Sequence, residues 1–210
     1  MRTTRRAIFG FGAAGAAIAA GAARAQALTA TPAEEMGPFY PIVEPDENAA
    51  DLTGLPGASG RALGTPFTLA GRVRAANGRP VAGAIVLVWH ASAGGVYGHP
   101  RDIIKAPRDP HFRGHALIRT ARDGSFRIAS IRPGAYPDAP GTLRTPHVHF
   151  EVIGEEGRLV TQMYFPGEPL NARDRLLNAM AGAGHNPRAL IAERDGADDR
   201  LRWEVVLERA

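Results

Sequence analysis

Pro146-His147-Val148-His149-Phe150-Glu151-Val152 alternates between polar and apolar residues along its length. Successive side chains of an extended strand point to opposite faces, so Val148, Phe150 and Val152 enter a core while His147 and His149 share the other face. Two imidazoles at i and i+2 can reach one metal ion. A His-x-His pair also occurs on solvated strand faces, and the pair by itself leaves the two readings level.

Outward from this stretch, short apolar runs with β-branched residues recur between turn signals: Phe67 to Arg74, Ala84 to His90, Ala116 to Thr120, Ser125 to Ile131, His147 to Ile153, Leu159 to Phe165 and Leu201 to Leu207. Asn77-Gly78 and Asp123-Gly124 are hairpin dipeptides, and Gly154 to Gly157 closes a third hairpin. This pattern predicts an all-β protein, an antiparallel β-sandwich. One short helix is expected over Asn171 to Ala181, where Leu176, Leu177 and Met180 fall at helical spacing. Residues 26–64 are rich in Pro, Gly, Ala and Asp without periodicity and read as an extended arm wrapped on a core at residues 65–210.

The 210 residues are 44% hydrophobic and 22% charged, which suits one globular domain, or one domain plus a processed leader. Arg5-Arg6 followed by an uncharged Ala/Gly-rich run from Ala7 to Ala23 reads as a twin-arginine signal peptide over residues 1–25, cleaved near Ala25 or Ala27. The expected location is the periplasm or the exterior. The run is short and diluted by small residues, whereas a spanning helix needs about 20 strongly apolar ones, so no membrane association is expected after processing. That export route carries proteins already folded, which hints at a cofactor loaded beforehand.

The net charge of +4 comes from Arg2, Arg5, Arg6 and Arg24; without them 21 basic residues face 21 acidic ones. No dense basic patch remains to bind nucleic acid. Cysteine is absent, which excludes disulfides and thiolate zinc sites. His90, His99, His111, His115 and His185 show no second metal-like spacing. Near the histidine pair the sequence offers tyrosine instead. Of four in the chain, Tyr97 lies in Gly94-Gly95-Val96-Tyr97-Gly98-His99 and Tyr136 in Arg132-Pro133-Gly134-Ala135-Tyr136-Pro137. Glycine and proline on either side fix a backbone that can aim a side chain, although each tyrosine taken singly reads more readily as structural.

Taken with Gly37-Pro38-Phe39-Tyr40, Gly71-Arg72-Val73, Gly78-Arg79-Pro80-Val81-Ala82-Gly83-Ala84, Val88-Trp89-His90-Ala91, Asp109-Pro110-His111-Phe112-Arg113-Gly114, Arg144-Thr145-Pro146-His147-Val148-His149 and Thr161-Gln162-Met163-Tyr164-Phe165, these blocks resemble the intradiol ring-cleavage dioxygenases. That family includes catechol 1,2-dioxygenases and protocatechuate 3,4-dioxygenases. The resemblance implies a non-haem Fe(III) held by Tyr97, Tyr136, His147 and His149, with Tyr136 and His149 axial. It implies that Tyr136 doubles as a base, that Arg144 stabilises charge developing on the substrate ring, and that Gln162 lies near iron-bound solvent. The reaction implied inserts both atoms of O2 into a catechol-type aromatic such as protocatechuate, giving a cis,cis-muconate-type diacid.

Keeping two phenols ionised near neutral pH means lowering each from about 10, roughly 4 kcal/mol apiece at ~1.36 kcal/mol per unit. A trivalent metal supplies that, and two hard anionic oxygens in turn favour Fe(III) over Fe(II).

The long helical N-terminal segment by which catechol 1,2-dioxygenases dimerise is not recognisable, which turns the resemblance toward the protocatechuate β-subunit-like branch and leaves homo- and hetero-oligomers both open. Asp138 stands where protocatechuate enzymes usually carry tryptophan, and His90 where a glutamine is common, which puts the ring-substituent preference in doubt. His99 and Arg101 read as ordinary loop residues. Taken alone, the spacing also allows Arg144 to be a surface residue paired with Asp138 or Glu151. The competing functions are an exported transthyretin-like β-sandwich binding module without catalysis, its histidines solvated, and a zinc or copper site on His147 and His149.

Overall fold

A computed structural model describes residues 27–43, 49–104, 106–139 and 141–209. The leader expected over residues 1–25 lies outside them. Among the described residues, two four-stranded sheets face each other. The first runs in the order β4 (Ser125–Ile131), β1 (Pro66–Ala75), β10 (Ala197–Leu207), β9 (Glu193–Asp195). The second runs in the order β3 (His115–Arg119), β2 (Ile85–Trp89), β7 (His147–Gly154), β8 (Gly157–Tyr164). A hairpin of β5 (Tyr136–Ala139) and β6 (Thr142–Arg144) stands beside them. No helix among the described residues is long and apolar enough to cross a membrane.

The expected all-β sandwich is present, and each of the seven predicted strands has a counterpart within a few residues. One pairing departs from the antiparallel expectation: β1 and β10 run parallel, from Thr68 opposite Arg200 to Ala75 opposite Leu207. Hairpin turns orient only strands that are neighbours in sequence, and these two are separated by most of the domain. Strands β5, β6 and β9 were not expected. The first two are bracketed by Pro133, Pro137 and Gly141, residues that argue against a strand wherever a ladder must be completed.

The predicted helix is a correction in its boundaries. Pro169–Arg173 forms a 3-10 turn, the chain leaves helical geometry at Asp174, and α1 covers Arg175–Gly182. The break has a local cause, since the Asp174 carboxylate accepts hydrogen bonds from the amides of Leu176 and Leu177 at 3.1 and 3.0 Å as an N-cap.

Leu69 and Val73 of β1, Val86 and Val88 of β2, Phe126 of β4, Phe150 and Val152 of β7, and Trp203 and Val205 of β10 fill the space between the sheets. Phe150 is fully buried, 4.9 Å from Trp203 and 6.3 Å from Phe126 between ring centroids, and so joins the two layers.

The other face of β7 is buried as well, with His147 and His149 each 1% exposed. Its cover comes from the arm. Thr31 and Val206 exchange two hydrogen bonds, from the Thr31 amide to the Val206 carbonyl at 3.0 Å and from the Val206 amide to Thr31 Oγ1 at 2.9 Å. The arm then crosses to β8, where the Glu34 amide reaches the Val160 carbonyl and Thr161 Oγ1 reaches the Pro32 carbonyl. Beyond it Tyr40 Oη donates to Glu151 of β7 at 2.7 Å. Further on, the amide of Leu52 and the carbonyl of Ala50 bond Ala129 on the free edge of β4, and the Leu52 side chain enters the core.

Phe150→Ala removes the ring that contacts both layers and is expected to cost about 3–5 kcal/mol of unfolding free energy, read by chemical denaturation.

Candidate metal centre

Two loops and one strand meet at a single point. Tyr97 lies on the loop after β2, where the Asp102 carboxylate accepts hydrogen bonds from the amides of Tyr97 (2.7 Å), Gly98 (3.1 Å) and Ile104 (2.9 Å). Tyr136 opens β5. Between the loops, glycines permit direct backbone contact. Gly95, at φ 76°, has no room for a side chain, because a Cβ there would meet the Ala135 carbonyl oxygen at 2.6 Å. At Gly134 a Cβ would meet the Ala93 carbonyl oxygen at 2.4 Å. This approach brings Tyr97 Oη to 3.4 Å from Tyr136 Oη.

The imidazoles complete the cluster. Tyr136 Oη is 3.2 Å from His147 Nε2, and His147 Nε2 is 3.1 Å from His149 Nε2. All four residues named from sequence are therefore brought together, with their donor atoms turned toward one another. The histidines are not on a solvated face.

His147 Nδ1 lies 2.6 Å from the Thr145 carbonyl, so it carries the proton and leaves the Nε2 lone pair aimed into the cluster. His149 stacks on Trp89, with centroids 4.9 Å apart and planes 7° apart, and Gly37 of the arm lies so close that a Cβ there would meet His149 Cε1 at 3.2 Å. Phe39 lies against Tyr97 at 4.4 Å and Tyr136 at 5.8 Å between centroids.

Burial, followed by the nearby Arg144 charge, drives the His147 pKa well below the ordinary value; burial followed by His147 does the same to His149. Both rings are therefore neutral. Burial raises the pKa of Tyr97 well above 10, with Tyr136 adding to the rise, and burial raises Tyr136 also. Protein alone thus holds the cluster as two phenols and two lone-pair donors, crowded and poor in protons.

The donor set fits a hard cation. Two phenols become anionic ligands once a positive charge offsets their burial, two neutral imidazoles need no deprotonation, and His149 Nδ1 is buried without a hydrogen-bond partner. Among the described residues no group of three or more His, Cys, Asp or Glu could hold a metal ion, so the mixed phenol and imidazole set is the candidate.

Arg144 faces Tyr136 across the β5–β6 hairpin and is 4% exposed. It is not a surface residue paired with Asp138 or Glu151. Its Nε donates to Asp174 at 2.8 Å, and its Nη2 donates to Gln162 Oε1 at 2.7 Å and to Tyr164 Oη at 3.2 Å. Burial opposes its charge, but Tyr164 and Asp174 outweigh burial and leave its pKa raised. Gln162 is engaged at both ends, since its Nε2 donates to the Glu35 carbonyl at 2.9 Å.

His90 lies away from the cluster, between the Ala91 carbonyl and Ser130 Oγ, and burial lowers its pKa to about 4. His99 rests edge-on against Phe39 at 5.9 Å. Asp138 contacts Thr142 and lies 4.0 Å from Arg175. A groove of about 830 Å³ on the β4-β1-β10-β9 sheet shares none of these residues, so the donors' chemistry rather than cavity size locates the site.

Sequence reading missed Asp174, Tyr164, Glu34 and Trp89 as residues of this neighbourhood. Trp89 and Tyr164 stood within the family-like blocks, whereas Asp174 read as part of the predicted helix and Glu34 as part of the arm.

The comparisons bear on the family. A family model described as Dioxygenase matches residues 36–208. The protocatechuate 3,4-dioxygenase beta chain of Burkholderia cepacia is 39% identical over 158 residues, which cover 73% of this chain and 63% of that one. The chain belongs to the intradiol dioxygenase family. Catechol 1,2-dioxygenase 1 of Acinetobacter lwoffii is another relative, 34% identical over 50% of this chain and 37% of its own length. This intradiol dioxygenase chain therefore spans less than two thirds of either relative. Among solved structures, the dioxygenase domain of a dioxygenase carbohydrate-binding protein fusion from Streptomyces sp. SirexAA-E is 29% identical, with a TM-score of 0.62 over 87% of this chain and 100% of that one. The cofactor of intradiol dioxygenases is a non-haem Fe(III).

Asp174 is fully buried and serves the helix cap, Arg144 and the Thr145 amide together. Asp174→Ala strands the guanidinium and is expected to cost about 3–5 kcal/mol by denaturant titration.

Burial pushes the Glu34 carboxyl up to about 7, against the pull of its hydrogen bond from Tyr164. A raised carboxyl pKa means that stability is whole below about pH 4.5 and declines as pH rises through about 7. Glu34→Gln is therefore expected to gain stability relative to the parent, by up to about 3 kcal/mol, when denaturation at pH 8 is compared with pH 4.

Proposed function

We propose that Tyr97, Tyr136, His147 and His149 hold a non-haem Fe(III) and that the protein opens a catechol-type ring between its two hydroxyl-bearing carbons. The observation that carries this reading is the meeting of two phenol oxygens and two imidazole nitrogens, neighbour to neighbour within 3.4 Å, in a buried pocket. When bound, the ferric ion supplies the activation of a catechol toward O2 that no side chain here can provide.

The remaining work falls to the chain. Once ionised beside the cation, Tyr136 Oη would accept one catechol proton, and His147, held by the Thr145 carbonyl, keeps its lone pair directed at the same point. Arg144 is a fixed cation whose charge lowers both imidazole pKa values and counters the rise at both phenols. The same charge stabilises negative charge developing on the substrate ring. Gln162 holds Arg144 in place. Phe39, Trp89 and Gly37 exclude water from the donors.

In the overall reaction one carbon–carbon bond breaks, both oxygen atoms of one O2 enter the product, and the catechol gives a muconate-type diacid. The relatives' names favour protocatechuate, catechol or hydroxyquinol as substrate. We also infer export by the twin-arginine route to the periplasm or beyond, supported by Arg5-Arg6 and the run after it. Assembly with further subunits is likewise inferred from the protocatechuate-type resemblance.

Iron-loaded protein is expected to be red-brown from tyrosinate-to-iron charge transfer and to convert at least one of protocatechuate, catechol and hydroxyquinol to a ring-opened diacid, consuming one O2 per ring. A colourless, fully metallated protein, or ring-intact substrates, would overturn the reading. His149→Ala should lose iron by elemental analysis. Tyr136→Phe should keep part of the iron and slow substrate deprotonation. Arg144→Ala should keep the colour and lose about 10²-fold or more in kcat.

A further inference from the structure

Behind Arg144 lies a hydrogen-bonded run that comes from the arm. Glu34 Oε2 is 2.7 Å from Tyr164 Oη, and Glu34 Oε1 is buried with no hydrogen-bond partner. Tyr164 Oη is also 3.2 Å from Gln162 Oε1 and 3.2 Å from Arg144 Nη2, which itself reaches Gln162 Oε1 at 2.7 Å. Three groups thus form a triangle in which the phenol has one proton to give.

Given to Gln162 Oε1, that proton occupies the second lone pair of the oxygen Arg144 already uses and points into the corner the guanidinium fills. Given to Glu34, at the shorter of the two distances, it leaves the phenol oxygen free to accept from the guanidinium. A buried carboxyl with one unsatisfied oxygen is an unfavourable thing to place in a strap whose other contacts here are made by its backbone, so its effect on the triangle is what distinguishes it.

We propose that Glu34 is a positioning residue for Arg144. By accepting the Tyr164 O–H it turns the hydroxyl hydrogen away from the guanidinium, so the phenol lone pairs face Nη2, which is locked between Tyr164 and Gln162 while Asp174 holds Nε. The arm thereby sets the aim of the cation that faces the donor cluster. This inference rests on the role assigned to Arg144 above.

The test uses iron-loaded protein and whichever of the three catechols the parent opens. Glu34→Leu is expected to lower kcat about tenfold with KM and the charge-transfer band unchanged, and Glu34→Gln, which keeps an acceptor, to stay within about twofold of the parent. In an Arg144→Ala background Glu34→Leu should have no further effect, because the two act as one unit. In protein loaded with diamagnetic gallium(III), NMR exchange protection of the Arg144 side-chain N–H signals should fall about tenfold in Glu34→Leu and persist in Glu34→Gln. If Glu34→Leu does not fold, Glu34→Ala removes the same acceptor and is expected to give the same losses. Equal losses from Leu and Gln, or losses that add to that of Arg144→Ala, would overturn the proposal. So would normal turnover by Glu34→Leu beside impaired Arg144→Ala, which leaves the iron site standing. Normal turnover by Arg144→Ala would overturn both readings.

Discussion

Strand β7 is buried on both faces, and the two faces have opposite requirements. Val148, Phe150 and Val152 need only apolar neighbours, which the facing sheet supplies. His147 and His149 need to be covered and yet have their lone pairs met, and the structure around the site follows from that. The arm laid across β8 and β10 brings Gly37 and Phe39 over the rings, Trp89 stacks on one of them, and two loops press together through Gly95 and Gly134 so that two phenols meet the nitrogens. A cluster of four such donors without a cation is unfavourable, and that cost is what makes a trivalent ion the natural complement.

The buried guanidinium of Arg144 imposes the second constraint. A cation removed from water needs a close anion and enough acceptors for its donors. Asp174 is that anion, and its other oxygen caps α1, so the helix that packs beside the site and the cation opposite Tyr136 share one carboxylate. Gln162 and Tyr164 of β8 provide the acceptors, and the arm orders these in turn. Through Tyr164, Glu34 of the arm is two hydrogen bonds from Arg144.

Much of this was legible beforehand because it depends on local periodicity. The alternation in β7 placed both histidines on one face, Asp123-Gly124 marked the turn into β4, and glycine and proline around Tyr97 and Tyr136 marked backbone held for a purpose. What was not legible required distant partners. The parallel pairing of β1 with β10 joins segments from the two ends of the domain, and no turn between them records its direction. Asp174 looked like a helix residue because its role as a cap depends on where the helix starts, and its role toward Arg144 depends on a hairpin 30 residues away. Glu34 carried no signal at all.

By itself the sequence determined the β-sandwich class and the inward and outward faces of its strands and, through ordered blocks that resemble a known family, named four candidate donors. Those are properties of spacing along the chain, where a period of two or a glycine at a turn acts within a few residues. Only the tertiary structure decided that the donors' oxygens and nitrogens meet within 3.4 Å of their neighbours, that Arg144 is buried against Asp174, and that the arm closes the site. Such contacts arise where segments far apart in sequence are packed against one another, and they are set by the shape of the whole core.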